Sequence, residues 1–383
     1  MVFSTERGLE EFLVHSLSGR GSPLPHPFGF RGRVLLRGVS PRQLAQILYT
    51  NPFYHKAYIL LFTGELSATR EDLDSCYLAV KNSAIPELLN QETTFGVRCI
   101  RRGEHPYSSQ EMASYAGSAV IDGCRIRRGF RPKVNLDDPD LLVVVDITDK
   151  RIALGVELVG LESMHRRGWR IYNHPAAIKS TLASAMVCLS GYEDGKVLWD
   201  PMCGGGTIPI EAAHRCIGLP PAFFRRDTFL FLRTSLIDRG VWEEVVAEVD
   251  SRIDWRKSCH IYASDRSPKH LKGAVLNAES ALVERKISFY VSDVESFPHT
   301  GSVDCIACNP PYGIRMGNPK DAERSLRALF KTFCNSSADS MALVHPEREK
   351  VKSLVSAFGL RLDKAIDAYN GNVKVFLFLI KKA

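Results

Sequence analysis

Asp200-Pro201-Met202-Cys203-Gly204-Gly205-Gly206-Thr207 stands between an apolar run at 196–199 and a helical pattern at 207–217. A strand that enters a glycine-rich turn and leaves as a helix opens a parallel α/β unit. Three consecutive glycines let other atoms approach the backbone and leave amide N–H groups free. The spacing is not G-x-G-x-x-G, and the Lys of a phosphate-binding loop is missing. An acid at the head of the turn suits a ligand bearing an ammonium group better than a pyrophosphate. The turn therefore points away from NAD and ATP.

Working outward, apolar runs at 259–264, 287–291, 303–308 and 340–344 read as further strands. Helical patterns at 207–217, 268–282 and 321–336 lie between them, and another at 175–190 precedes the turn. The polar residues fall where such a sheet binds ligands, at the carboxyl ends of its strands. Asp265 closes the second strand and is placed to hold ribose hydroxyls; Asp293 closes the third and can accept from an exocyclic adenine amine. Each acid taken singly is more often a helix N-cap, but polar residues at four successive strand ends make a pattern.

The fourth strand ends in Asn309-Pro310-Pro311-Tyr312-Gly313. Two adjacent prolines turn carbonyls out of the ladder and stiffen the backbone. The Asn309 side-chain oxygen and the Pro310 carbonyl can both accept from one –NH₂ group, aiming its lone pair at an electrophile. Tyr312 offers a face on which a planar base can stack. The plainer alternative is a rigid turn with an aromatic plug.

Upstream, the first 65 residues read as a small mixed unit, with helices at 8–17 and from Ser40-Pro41 and strands at 30–39 and 56–64. From about Ala68 a second unit follows, with helices at 71–82 and 109–122 and strands at 94–101, 141–147 and 151–158. Residues 218–258 fit no minimal α/β unit and read as an insertion, and 363–369 with 373–380 read as a hairpin. Charge is uneven. Residues 98–133 carry eight basic and three acidic side chains, and 163–180 carry four basic and none acidic, against a net +7 for the whole chain. Arg98, Arg101, Arg102, Arg127, Arg128, Arg166 and Arg167, with His105 among them, are the candidate phosphate contacts.

With 383 residues, 45% hydrophobic and 24% charged, the chain is ordinary globular material, enough for two or three domains. Its apolar runs are far shorter than the ~20 residues of a membrane helix, and 1–11 does not read as a secretory signal, so a cytoplasmic location is expected. Ten cysteines at irregular spacing argue against a disulfide framework. Cys305 and Cys308 lack partners at metal-ligand spacing, so they read as buried strand residues and no metal is expected.

Asp200–Thr207 together with Asn309–Gly313 resembles the S-adenosylmethionine-dependent amino-methyltransferases of Rossmann-like fold. Phe95-Gly96-Val97-Arg98, Arg101-Arg102-Gly103, His105–Ser109, Gly117, Val134–Leu136 and Pro139-Asp140 are similar to a THUMP domain, an RNA-binding module. His165–Arg170 through His174-Pro175-Ala176 resembles the linker of THUMP-fused methyltransferases. The resemblance spans the chain and implies an α/β architecture: a ferredoxin-like domain at 1–65, THUMP at 66–162, a linker at 163–180 and a Rossmann-like class I methyltransferase domain at 181–383. Within the family, the nearest resemblance is to tRNA (guanine-N2)-methyltransferases acting on guanosine 6 of the acceptor stem. Enzymes acting on guanosine 10 usually carry Asp where this chain has Asn309.

The resemblance assigns Asp200, Met202, Cys203, Gly204, Gly205 and Gly206 to the methionine portion of S-adenosylmethionine, Asp265 to its ribose, and Asp293 with Val294 to its adenine. Thr181 is assigned to the cofactor carboxylate, Asn309 and Pro310 to the guanine amine, and Tyr312 to its ring. It implies tRNA as partner and a monomer. Other readings stay open: the same chemistry on ribosomal RNA or at tRNA position 10, a DNA amino-methyltransferase, and a non-catalytic RNA-binding protein.

Overall fold

The computed structural model describes residues 1–296, 301–313 and 318–382. Strands β1 (Val2–Ser4), β2 (Ser22–Pro25), β3 (Arg33–Arg37), β4 (Lys56–Glu65), β5 (Thr94–Arg102), β6 (Lys133–Val134), β7 (Leu141–Thr148) and β8 (Arg151–Glu157) form one sheet in the order β2-β3-β1-β4-β8-β7-β5-β6. The residues read as two upstream units thus share a sheet, joined where β4 pairs antiparallel with both β1 and β8. Buried Arg33 seals the joint from β3: its Nε donates to Asp146 of β7 at 2.7 Å, and Arg102 of β5 approaches the other carboxylate oxygen at 3.6 Å. One face of the sheet is covered by the helices Glu71–Asn82 and Ser109–Arg128, with Val143, Val145, Leu154 and Val156 packed beneath them.

The second sheet comprises β9 (Val197–Asp200), β10 (His260–Asp265), β11 (Ser288–Val291), β12 (Cys305–Cys308), β13 (Ser340–His345), β14 (Leu360–Asn370) and β15 (Val373–Lys382). Its order is β11-β10-β9-β12-β13-β15-β14, parallel except for β15, which runs antiparallel to both β13 and β14. The chain reverses its direction of winding between β9 and β12, and the crevice at their carboxyl ends is where such sheets take ligands.

Local chemistry explains most element boundaries. Ser40 caps the helix Pro41–Thr50 by accepting from Gln43 N while the Gln43 side chain returns the bond, and Ser108 does the same with Glu111. The helix expected at 175–190 is shorter, Ser180–Leu189. The residues before it instead make a turn at 175–176 and an irregular lead-in: Lys179 has β geometry, and its ammonium reaches Glu6 of the N-terminal unit at 2.6 Å. Strands β1 and β2 and the helix Arg348–Ala357 were not apparent in the sequence pattern, the first two being too short for any period to show.

The 218–258 insertion has a definite place. Its helix Arg239–Asp250 packs on Pro41–Thr50, Tyr49 Oη donates to Asp250 at 2.6 Å, and Trp242 is edge-on to Tyr49, Phe229 and Phe231 with centroids 5.0–5.5 Å away. Arg233 reaches Asp138 beyond β6 at 2.7 Å, and Arg225 donates to the carbonyls of Ser163 and Arg166. Cys216 and Cys259 are bonded at the stem of the insertion, a single bridge in a chain whose spacing argued against a disulfide framework; they stand 43 positions apart, and only the return of the insertion brings them together. The other eight cysteines are free, with Cys305 and Cys308 both buried in β12. Among the described residues no helix is long and apolar enough to cross a membrane.

Trp242→Ala would leave a hole in this aromatic nest. The expected loss is about 3–5 kcal/mol, read as a lower denaturation midpoint, with the largest spectral change from the insertion and N-terminal unit.

Candidate functional site

A cavity of about 310 Å³ opens at the carboxyl ends of β9, β10, β11 and β12. Asp200, Met202, Cys203, Gly204, Gly205, Asp265, Asp293, Val294, Asn309, Pro310 and Tyr312, all expected in the site, line it together. They come from four separate strand ends, so the topology alone converges them.

The turn after β9 is stapled to β10. Asp265 Oδ2 accepts from Gly204 N at 2.9 Å, its Oδ1 accepts from Ser267 N at 2.8 Å, and Cys203 N donates to the Ser264 carbonyl at 2.9 Å. Asp200 is 1% exposed, accepts from Met202 N at 3.2 Å, and forms no ion pair with a described basic side chain. Burial pushes its carboxyl well above the usual range, against the pull of the Met202 N–H and with a further push from Asp265. A buried carboxylate without a cation is a receptor for one.

Two expected residues stand elsewhere. Thr181 is fully buried in its helix and shares a 3.0 Å hydrogen bond with His55 of the N-terminal unit, so it does not face the cavity. Gly206 turns away from it: φ is +78°, and a Cβ there would meet Ala274 Cβ at 3.1 Å, so the third glycine admits the neighbouring helix Pro268–Ser280 rather than a ligand. The glycines before it are covered in part by the linker, whose His174 ring lies 3.3–3.4 Å from where a Gly204 Cβ would be.

His174, Ala176, Ala177 and Ile178 form the wall over the turn. His174 Nδ1 accepts from Ala176 N at 3.2 Å, so its Nε2–H donates to His270 Nδ1 at 3.2 Å. Burial and His270 hold its imidazole below the ordinary range, keeping that tautomer neutral. Asn277, fully buried in the helix Pro268–Ser280, takes the N–H groups of Ile171 and Tyr172 on its Oδ1 at 2.9 and 2.7 Å and gives its Nδ2 to the carbonyls of Tyr172 and Gly205 at 3.0 and 2.8 Å. No sequence pattern marks this asparagine; only its four partners do.

Asn309 is oriented from two sides. Its Nδ2 donates to the Ala176 carbonyl at 3.3 Å, and its Oδ1 accepts from the Tyr312 hydroxyl. An amide oxygen has a second lone pair, so one acceptor position remains beside the Pro310 carbonyl. Buried His345 stands edge-on to Tyr312 with centroids 5.5 Å apart and fixes the plane of that ring.

The candidate phosphate contacts divide. Arg167 is not available to RNA: it is 2% exposed, forks onto both oxygens of buried Glu211 at 3.1 Å, and donates to the carbonyls of Met164 and Pro52. Burial opposes ionisation of Glu211, but the guanidinium outweighs it and holds that carboxyl below its usual range. Arg98 and Arg102 share the face of β5 away from the helices, and Arg101 lies on the other face. His105 donates Nε2–H to the Asp149 carbonyl at 2.6 Å and accepts from Arg101 at 3.2 Å, so it positions Arg101. Arg127 pairs with Glu87 at 2.9 Å at the end of its helix; Arg128 beside it and Arg166 in the linker are exposed.

A Rossmann-like sheet with this crevice, preceded by an α/β module, has the architecture of a class I methyltransferase domain joined to a second α/β domain. Residues 167–376 match the family described as RMKL-like, methyltransferase domain, and residues 70–157 match the THUMP domain. The chain belongs to the THUMP-bearing RMKL-like methyltransferases. It is 31% identical over 335 residues to the tRNA (guanine(6)-N2)-methyltransferase of Methanocaldococcus jannaschii, covering 87% of this chain and 85% of that one. It is 30% identical over 380 residues to the protein of the same name from Archaeoglobus fulgidus, covering 97% and 90%. Among solved structures, SMU.472 complexed with SAH superposes with a TM-score of 0.86 at 20% identity, covering 100% of this chain and 97% of that one. TrmN from Thermus thermophilus gives 0.69 at 22%, covering 100% and 99%; both share the fold from end to end.

The buried Arg167–Glu211 pair separates structural from surface arginines. Arg167→Ala leaves Glu211 uncompensated and should cost about 3–5 kcal/mol in chemical denaturation. Arg128→Ala should shift stability by no more than ~0.5 kcal/mol.

Proposed function

We propose that the protein transfers a methyl group from S-adenosylmethionine to the exocyclic N2 of guanosine 6 in the acceptor stem of tRNA, in the cytoplasm and as a monomer. The observation that carries the reading is Asn309. Its oriented amide oxygen and the Pro310 carbonyl stand at the switch point of the sheet, between the acid-bearing turn and an aromatic ring. The names of the curated relatives support tRNA and position 6 as the substrate.

The cavity fits the cofactor: a buried acid without a cation heads it, and Asp265 and Asp293 follow at the next strand ends. S-adenosylmethionine supplies a methyl already activated on sulfonium, so the chain's own work is positioning. Asp200 receives the ammonium, Asp265 the ribose, and Asp293 with Val294 the adenine. Asn309 and Pro310 accept the two amine hydrogens, which favours the pyramidal nitrogen and stabilises the positive charge developing on it. Tyr312 stacks on the ring, and no general base is needed before transfer. Residues 1–162 hold the RNA away from the reaction, with Arg98, Arg101, Arg102, Arg127, Arg128 and Arg166 on phosphates; 163–180 serves as the linker and 181–383 as the catalytic domain. Turning the base out of a stem costs a few kcal/mol, which remote anchoring offsets.

Labelled methyl transfer to an unmodified tRNA transcript, followed by nucleoside mass spectrometry, should give N2-methylguanosine at position 6. Asn309→Ala should cut the rate about 100- to 1000-fold with S-adenosylhomocysteine affinity retained. Product on ribosomal RNA alone, or none on guanine, sinks the proposal. Ionisation of Asp200 supplies a second check. Burial favours its protonated form in the free protein, whereas a ligand ammonium favours the anion, so binding should release protons. Affinity for S-adenosylhomocysteine should therefore rise with pH above the ordinary carboxylate range, and Asp200→Asn should flatten that slope in calorimetry.

A further inference from the structure

Asn370 closes β14, is 7% exposed, and lines the cavity with Val373, the first residue of β15. Its backbone is in register with Val373 across the two-residue turn Gly371-Asn372, where Gly371 takes φ +68°. Its side-chain amide makes no hydrogen bond to any described residue, although the residue is buried. A primary amide in the wall of the cavity with no partner among the described residues keeps its donor and its acceptor for a ligand.

The strand order says which partner. Asn309 follows β12; on one side of it lie β9, β10 and β11 with Asp200, Asp265 and Asp293, and on the other lie β13, β15 and β14 with His345, Val373 and Asn370. The methyl donor claims the acid side, so the body of the accepting base falls on the side of Asn370. A guanine whose N2 is held at Asn309 presents two further groups along the same edge: N1–H, a donor, and O6, an acceptor. An Asn amide carries the matching acceptor and donor on one planar group, the geometry with which Asn and Gln read bases bidentately.

The hairpin tip is also held firmly enough to discriminate. Gly8 of the N-terminal unit abuts it so closely that a Cβ there would lie 1.5 Å from the Asp367 carbonyl oxygen. Arg7 lies over the Tyr369 ring at 5.8 Å. Tyr312 and His345 bound the base plane from the neighbouring strands.

We propose that Asn370 is the specificity-determining residue for the base, its amide pairing with N1–H and O6 of the guanine whose N2 sits at Asn309. The inference rests on the guanine-N2 reading and adds the group that tells guanine from other purines bearing a 2-amino group. The test uses tRNA in which the target guanosine is replaced by 2-aminopurine riboside, each base opposite its pairing partner. 2-Aminopurine keeps the 2-amino group but has an acceptor at N1 and only C–H at position 6, so in either orientation the amide can make at most one of its two hydrogen bonds. Single-turnover transfer is measured for wild type, Asn370→Ala and Asn370→Asp. Comparing enzymes on each substrate separately cancels the difference in pair opening.

Asn370→Ala should slow transfer to guanosine about ten- to a hundredfold and slow transfer to 2-aminopurine no more than about threefold, so that discrimination narrows. Asn370→Asp, which keeps the acceptor for N1–H, should recover part of the guanosine rate. S-adenosylhomocysteine affinity should be unmoved in both. Equal slowing on both substrates, as a merely structural residue would give, overturns the assignment, and so does an unchanged ratio. Absence of transfer to guanosine N2 by wild-type protein that binds S-adenosylhomocysteine would overturn the underlying reaction and the assignment with it.

Discussion

Asn277 is where linker, glycine turn and neighbouring helix become one object. One buried amide takes two backbone N–H groups from residues 171 and 172 and gives its own hydrogens to the carbonyls of Tyr172 and Gly205. All of its hydrogen-bonding capacity facing the chain is used, so removing it leaves several buried backbone groups unsatisfied at once. Around it, close approach does the rest: a Cβ on Gly273 would fall 2.2 Å from the Tyr172 ring, and one on Gly205 would fall 3.1 Å from His174 Cβ. The wall of the cavity is therefore the linker itself, laid over the turn, and the RNA-side half of the chain is anchored through the same segment by Lys179 to Glu6.

The catalytic sheet was legible because its signal is local and repeated. Strand, polar terminus and helix recur, and each polar terminus reaches the same crevice by topology alone. Asp200, Asp265, Asp293 and Asn309 could be read from position without knowing any distance. Thr181, Gly206 and Arg167 failed for a common reason: residue type says what a group can do and not which way it faces. Thr181 points to His55, Gly206 faces a helix, and Arg167 neutralises a glutamate 44 positions downstream. Asn277 and Asn370 carry no periodicity and sit in no motif; long-range pairing alone reveals them. The bond between Cys216 and Cys259 was hidden in the same way, behind an insertion whose return path has no local mark.

The charge of the chain shows the same division. The basic excess over 98–133 and 163–180 pointed to a phosphate-bearing partner, yet part of it is internal. Arg167 is buried and satisfied by Glu211, and Arg102 leans on Asp146, which also takes buried Arg33 from outside those stretches. A buried pair of this kind contributes little net stability over an apolar packing, but it is costly to break and it fixes register. Arg33 and Asp146 fix the register of the first sheet across the joint of its two units, and Arg167 and Glu211 tie the linker to the helix after the glycine turn. What remains for RNA is the exposed set at the end of the helix Ser109–Arg128, with half-buried Arg98 and Arg101 on β5.

That distribution gives recognition two scales. Exposed arginines bind phosphates at long range and without regard to sequence. They bring a stem to the enzyme but cannot tell one base from another. Selection must occur inside the cavity, where water is excluded and an unmet hydrogen bond is costly. The hairpin tip is where the two scales meet, because Gly8 and Arg7 of the N-terminal unit press on the strand that ends in Asn370.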